Sequence, residues 1–155
     1  MKWIFRIITH GAALVAGIAL GIYLLPILTA PDGPDPASLQ SAANEAQFSA
    51  AFSRDLKGSD FLHWGDGSIS LSPERITHIG TLAPGPDYKL YLTPAFVEDE
   101  ATFLALKSEA VRIGDVQMFN GLILDVPDGV DITRYNSVVI WCEAFGEFIT
   151  AAQYQ

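Results

Sequence analysis

The chain has 155 residues, half of them hydrophobic, enough for one domain with a core and too apolar for disorder. Its net charge of −9 is uneven: residues 1–30 hold Lys2 and Arg6 and no acid, while all eighteen acidic side chains lie beyond, a balance that repels phosphate backbones and argues against nucleic-acid binding. The single cysteine excludes an internal disulfide and a cysteine-based zinc site.

In chain order, the first element is an apolar span. Gly11 to Leu28 reads GAALVAGIALGIYLLPIL, without a charge, and follows WIFRIITH. Together they approach the ~20 apolar residues that cross a bilayer as a helix. Lys2 and Arg6 precede the span, and Asp32 and Asp35 follow it. The positive-inside bias then places the N-terminus in the cytoplasm and the body outside, periplasmic or extracellular. Trp3 and Tyr23 are placed for the two interfaces. A cleaved secretory signal would export the same body, but its apolar core usually runs about 7–15 residues. This one is longer, and Leu28-Thr29-Ala30 makes a poor cleavage site, so an uncleaved single-pass anchor is expected over residues 1–29. Gly17 and Gly21, extended by Ala13, form a row of small residues through which two helices can pack as a homodimer. Glycine and alanine are common in such spans, so the row is equally ordinary.

Residues 30–51 read as linker and helix. APDGPDPAS carries three prolines and cannot continue a helix. ASLQSAANEAQFSAAF is alanine-rich, with Leu39, Ala43, Ala46 and Ala50 at helical spacing and Phe48 four before Phe52. One short amphipathic helix that packs on the body is expected there. It lacks the basic residues of a membrane-surface helix.

From Phe61 onward the pattern is that of strands. GSISLS, RITHIGTL, YKLYLT, GLILDVP and SVVIWCEAF alternate or are rich in β-branched and aromatic residues, with turn chemistry at Pro84–Asp87 and Pro127–Gly129. FVEDEATFLALKSEAV has room for one or two helical turns. The expected fold is all-β, an antiparallel sandwich or barrel-like domain behind the membrane helix and the short helix. There is no βαβ rhythm, no GxGxxG and no P-loop. In the APGPDY turn, Gly85 is the residue expected to take φ > 0.

The candidate chemistry centres on Cys142. Alternation along its strand puts Val138, Ile140, Cys142 and Ala144 on one face, and Val139, Trp141, Glu143 and Phe145 on the other. A free cysteine there is a small core hydrophobe in the ordinary reading. In an exported, oxidising compartment a lone thiol has two functional uses: a redox-active thiol, or an axial ligand to a haem iron. Glu143 and Glu147 are acidic and no cation is adjacent in sequence, so a high thiol pKa is expected. His10, His63 and His78 are scattered and make no metal constellation. Met118 is a soft ligand or core filler, and Glu98-Asp99-Glu100 a solvated loop.

Three stretches carry a resemblance. They are His63 with Gly67 four later, GPDYKLYL from Gly85 to Leu92, and YNSVVIWCEAFGEFITAA from Tyr135 to Ala152. On these the body, over roughly residues 52–154, resembles the DM-thirteen domain family, small extracytoplasmic β-domains that accompany DOMON domains in some matrix and redox proteins. The resemblance implies an electron-transfer or redox role that falls on Cys142. His63, in the first stretch, is the candidate for holding a cofactor, with haem the group considered. The family often shows an LKG…G pattern before the last strands, where this chain reads MFNGLILDVPDG. No DOMON domain is visible here, so a redox or DOMON-type protein partner is implied. The competing reading is a non-enzymatic interaction or structural module in which Cys142 is only core.

Overall fold

The computed structural model describes residues 2–155. Helix α1 (Lys2–Thr29) is 28 residues long, buries none of its side chains, and is long and apolar enough to cross a membrane. Helix α2 (Pro36–Asn44) starts with proline in its first turn and is capped by Asp35, whose carboxylate accepts from the amides of Ala37 and Ser38. It buries Leu39 and Ala42 and packs on the sheet below it.

Eight strands follow: β1 (Phe48–Phe52), β2 (Gly65–Leu71), β3 (Arg75–Leu82), β4 (Tyr88–Thr93), β5 (Val111–Val116), β6 (Asn120–Asp125), β7 (Ser137–Cys142) and β8 (Glu147–Gln153). A two-turn helix α3 (Glu100–Leu106) lies between β4 and β5. All pairings are antiparallel, in two four-stranded sheets ordered β1-β2-β3-β6 and β5-β4-β7-β8. The sheets face each other as a sandwich, with β1 and β2 against β8 along one side and β5 against β6 along the other. With three helices the chain as a whole is not all-β.

One expected element is corrected. The helix read through Phe52 ends at Asn44, and Phe48–Phe52 is an edge strand paired with Gly67–Leu71. Alanine favours helix by only tenths of a kcal/mol per residue. Burying Phe52 and packing Phe48 against the core outweighs that preference. The first sheet thus begins inside the segment read as linker and helix.

The core lies between the sheets, where Ile69, Leu71 and Ile76 meet Leu90, Val138, Ile140 and Cys142. A second cluster covers the outer face of the β4–β7–β8 sheet. There Tyr91, Val139, Trp141, Phe148 and Ala151 pack under Val97 and Phe103, the latter from α3. Every residue of β7 is buried because both of its faces are covered.

His78 on β3 is wholly buried beside Phe52. Its Nε2 donates to the Asp66 carbonyl at 3.0 Å and its Nδ1 has no partner. Burial pushes its pKa below the ordinary 6.5, the bond to Asp66 opposing this. In the pH range between the two values the unfolded chain binds the proton that the folded chain refuses, so stability rises with pH. Stability is therefore expected to be unaffected by His78 at pH 8 and to fall as the pH drops through 6.5. Urea midpoints measured from pH 8 to pH 5 check this, with the slope reduced in His78→Gln.

Candidate functional site

Four loops gather at one end of the sandwich: residues 53–64, 83–87, 117–119 and 143–146. Pairing shows why, since Tyr88 lies opposite both Cys142 and Val116, Cys142 opposite Glu147, and Gly65 opposite Leu82. Cys142 is the last residue of β7, just beneath this end.

The thiol is 2% exposed and donates to the Pro86 carbonyl at 3.1 Å. Burial pushes its pKa up; the amides of Phe145 and Ala144 oppose this, and Asp87 and Glu147 reinforce it. At neutral pH it is a protonated thiol, as the acidic sequence around it implies. Its cross-strand neighbour Tyr88 is likewise buried, and its phenol pKa is raised by burial and then by Cys142.

The turn over the thiol differs from expectation at one residue. Gly85 is not the left-handed position; Asp87 is, with φ 55°. Asparagine and aspartate tolerate this region because their short polar side chains bond locally. Gly85 is needed for space instead: a Cβ there would meet the Tyr88 hydroxyl at 2.3 Å. Gly85→Val is expected to destabilise the domain by about 1–3 kcal/mol through overpacking. Its thermal midpoint checks this, and the smaller Tyr88→Phe ring is expected to relieve part of the loss.

The other face of the same strand end carries a charged cluster. Glu143 accepts from the Tyr91 hydroxyl and from Lys107 Nζ, the latter at 2.7 Å. Lys107 also lies 5.2 Å from the centre of the Trp141 ring. Burial works to raise the Glu143 pKa, but Lys107 and Tyr91 hold it below the usual carboxylate range. The Tyr91 phenol is pushed up to about 12 by burial and by Glu143. Alternation placed Glu143 and Trp141 together, but nothing in the sequence pointed to Lys107, which arrives from the end of α3.

His63 sits in the 53–64 loop. Its Nδ1 is 3.0 Å from Asp60 Oδ2, and it lines a pocket with Gly58, Asp99, Glu147 and Phe148. Cys142 does not line that pocket, and the side-chain bonds of the two residues go to different partners, Asp60 and Pro86. His10 lies on α1 and His78 in the core, so the three histidines are apart. Among the described residues no group of three His, Cys, Asp or Glu side chains is arranged for a metal. Met118 packs against the core.

A haem held by Cys142 needs a thiolate facing an open apolar slot. Here the sulfur is enclosed, protonated and bonded to Pro86. A cleft of about 430 Å³ at this end is lined by Tyr88, Pro86 and Phe119 and by Leu25 and Thr29 of α1, but not by Cys142. These residues do not fit an axial thiolate ligand.

The body is thus a two-sheet antiparallel sandwich with one enclosed thiol at its loop end. The family model described as electron transfer DM13 matches residues 52–154, from the end of β1 to the residue after β8. The chain belongs to that family. No curated protein and no solved structure matches it.

Proposed function

We propose that the chain is a membrane-anchored, extracytoplasmic electron-transfer domain whose redox group is the Cys142 thiol. The observation that carries this is the position of the only thiol at the loop end of a sandwich that an electron-transfer family model matches along nearly all its length. Support for the anchor is α1: at 1.5 Å per residue its 28 residues reach about 42 Å, against a hydrocarbon core of about 30 Å. The basic Lys2 and Arg6 before it and the acids after it favour the N-terminus inside. Its Gly17–Gly21 face is open to a second copy of the helix.

A lone thiol can exchange with a partner protein's disulfide, which needs no oxidant beyond that disulfide. The Cys142 sulfur bonds one partner sulfur, the partner's S–S bond breaks, and the released sulfur takes up the proton that Cys142 gives up. The number of S–S bonds is unchanged: Cys142 is held in a mixed disulfide and the partner gains one free thiol, and a further protein thiol that attacks the partner sulfur releases Cys142 and carries the disulfide on. The raised thiol pKa makes this slow until the 83–87 and 143–146 loops open on a partner.

The test is to quench membranes with acid, alkylate free thiols, and resolve the chain without reductant. The proposal expects a fraction of Cys142 in a reducible, partner-sized adduct that is lost in Cys142→Ala. The bond from the thiol to Pro86 and the enclosure of the sulfur favour the second reading, a structural module. A wholly free thiol under both oxidising and reducing growth would decide for it.

A further inference from the structure

We infer that the loop end of the sandwich, with Cys142 beneath it, rests on the bilayer that holds α1. This builds on the reading of α1 as an anchor and adds the orientation of the domain on the membrane. The first argument is the tether. α1 ends at Thr29, and Gly33 is already seated on the start of β6, where a Cβ would lie 3.1 Å from the Asn120 carbonyl. Four residues reach at most ~14 Å even when extended. Asn120 begins the strand that follows loop 117–119, so the covalent chain holds this end, and not the opposite one, at the membrane surface. The last turn of α1 accordingly lines the cleft at this end, with Leu25, Pro26 and Thr29 facing Pro86, Tyr88 and Phe119.

The second argument is what the loops display. Phe61 is 85% exposed, Phe145 56% and Leu62 42%, and all three lie in loops of this end. Outside α1 and this end, the only other large exposed apolar side chain among the described residues is Leu104 of α3. Aromatic and aliphatic side chains on loop tips beside a membrane helix suit the apolar boundary of the headgroup layer. The cations of this end, Arg54, Lys57 and Lys89, are paired with Asp66, Asp99 and Asp87, and Asp60 and Glu147 add negative charge, so charge does not draw it to anionic lipid. Contact depends on the aromatics and the tether, and a neutral bilayer suffices. In this orientation Cys142 lies on the membrane side of the domain, enclosed beneath the 83–87 and 143–146 loops.

The test uses the full chain in phosphatidylcholine vesicles, with a spin label at one introduced cysteine: Phe61→Cys, Phe145→Cys, Asp128→Cys in the turn after β6 at the far end, or Val15→Cys in α1. Because Cys142 is buried the labels go into the otherwise native chain, and each is repeated in Cys142→Ala. Collision with oxygen, which concentrates in lipid, is compared with collision with a water-soluble nickel chelate. The expected result is oxygen dominant at 15, 61 and 145 and the chelate dominant at 128. Oxygen dominant at 15 with 61 and 145 matching 128 would overturn the docking and leave the anchor standing. Chelate dominant at 15 would remove the anchor and the docking together. A label at 61 and 145 shielded from both probes would show a protein partner in place of lipid, and would equally overturn the inference.

Discussion

Trp141→Ala is expected to cost about 3–5 kcal/mol, the range for deleting a buried large aromatic. Trp141 is 1% exposed and sits in the centre of the outer cluster, with the Phe103 ring 4.7 Å away and Lys107 over its face. Its loss removes the surface on which α3 is seated. Lys107 comes from the residue after α3, so the bond that it gives Glu143 loosens at the same time. The sandwich core lies on the other side of β7 and is not emptied directly. Urea denaturation checks the magnitude. The Glu143 carboxyl, followed by NMR, is expected to rise toward its ordinary value as Lys107 is released.

Gly80→Val is expected to be about as damaging. Gly80 lies where the pairing of β3 with β6 shifts register, between His78 and Thr81. A Cβ there would fall 2.0 Å from the Asp66 carbonyl and 2.8 Å from His78 Nε2. The close approach is what lets His78 reach Asp66. Overpacking costs about 1–3 kcal/mol, and a buried imidazole left without its bond about 1–3 more. A loss of 3 kcal/mol or greater in urea checks this, on the order of the sum of the two effects. Gly80→Ala carries the same clash, so it is expected to fall close to Gly80→Val.

The strands were legible because alternation is a property of neighbouring residues. The two faces of Ser137–Cys142 separate as expected: Val138, Ile140 and Cys142 enter the inter-sheet core, and Val139 and Trp141 the outer cluster, but the strand read on through Phe145 turns after Cys142 and leaves Ala144 and Phe145 exposed. What was not legible depends on partners distant in sequence. Phe48–Phe52 looks helical until β2 is there to pair with it. Gly85 reads as a flexible turn residue until the Tyr88 hydroxyl fills the space beside it. The raised pKa of Cys142 was expected from its acidic flanks, but burial is its main cause, Glu147 adds to it and Glu143 is turned to Lys107, and the bond to Pro86 needs the β3–β4 turn folded over the thiol. His63 and Cys142 were both singled out by motif, and the fold puts them in separate surroundings.

The central claim is that Cys142 is a reaction centre reached by opening of the loop end, and not a core atom reached only by unfolding. Labelling of the native thiol by a small disulfide reagent at increasing, sub-denaturing urea tests it. Local opening exposes little surface, so its rate depends weakly on denaturant, whereas exposure by global unfolding follows the full slope of the stability curve. The account predicts slow labelling with a shallow urea dependence, accelerated when Pro86→Gly loosens the turn and unchanged when Asp128→Gly alters the far end. Labelling whose urea dependence equals that of global unfolding would contradict it.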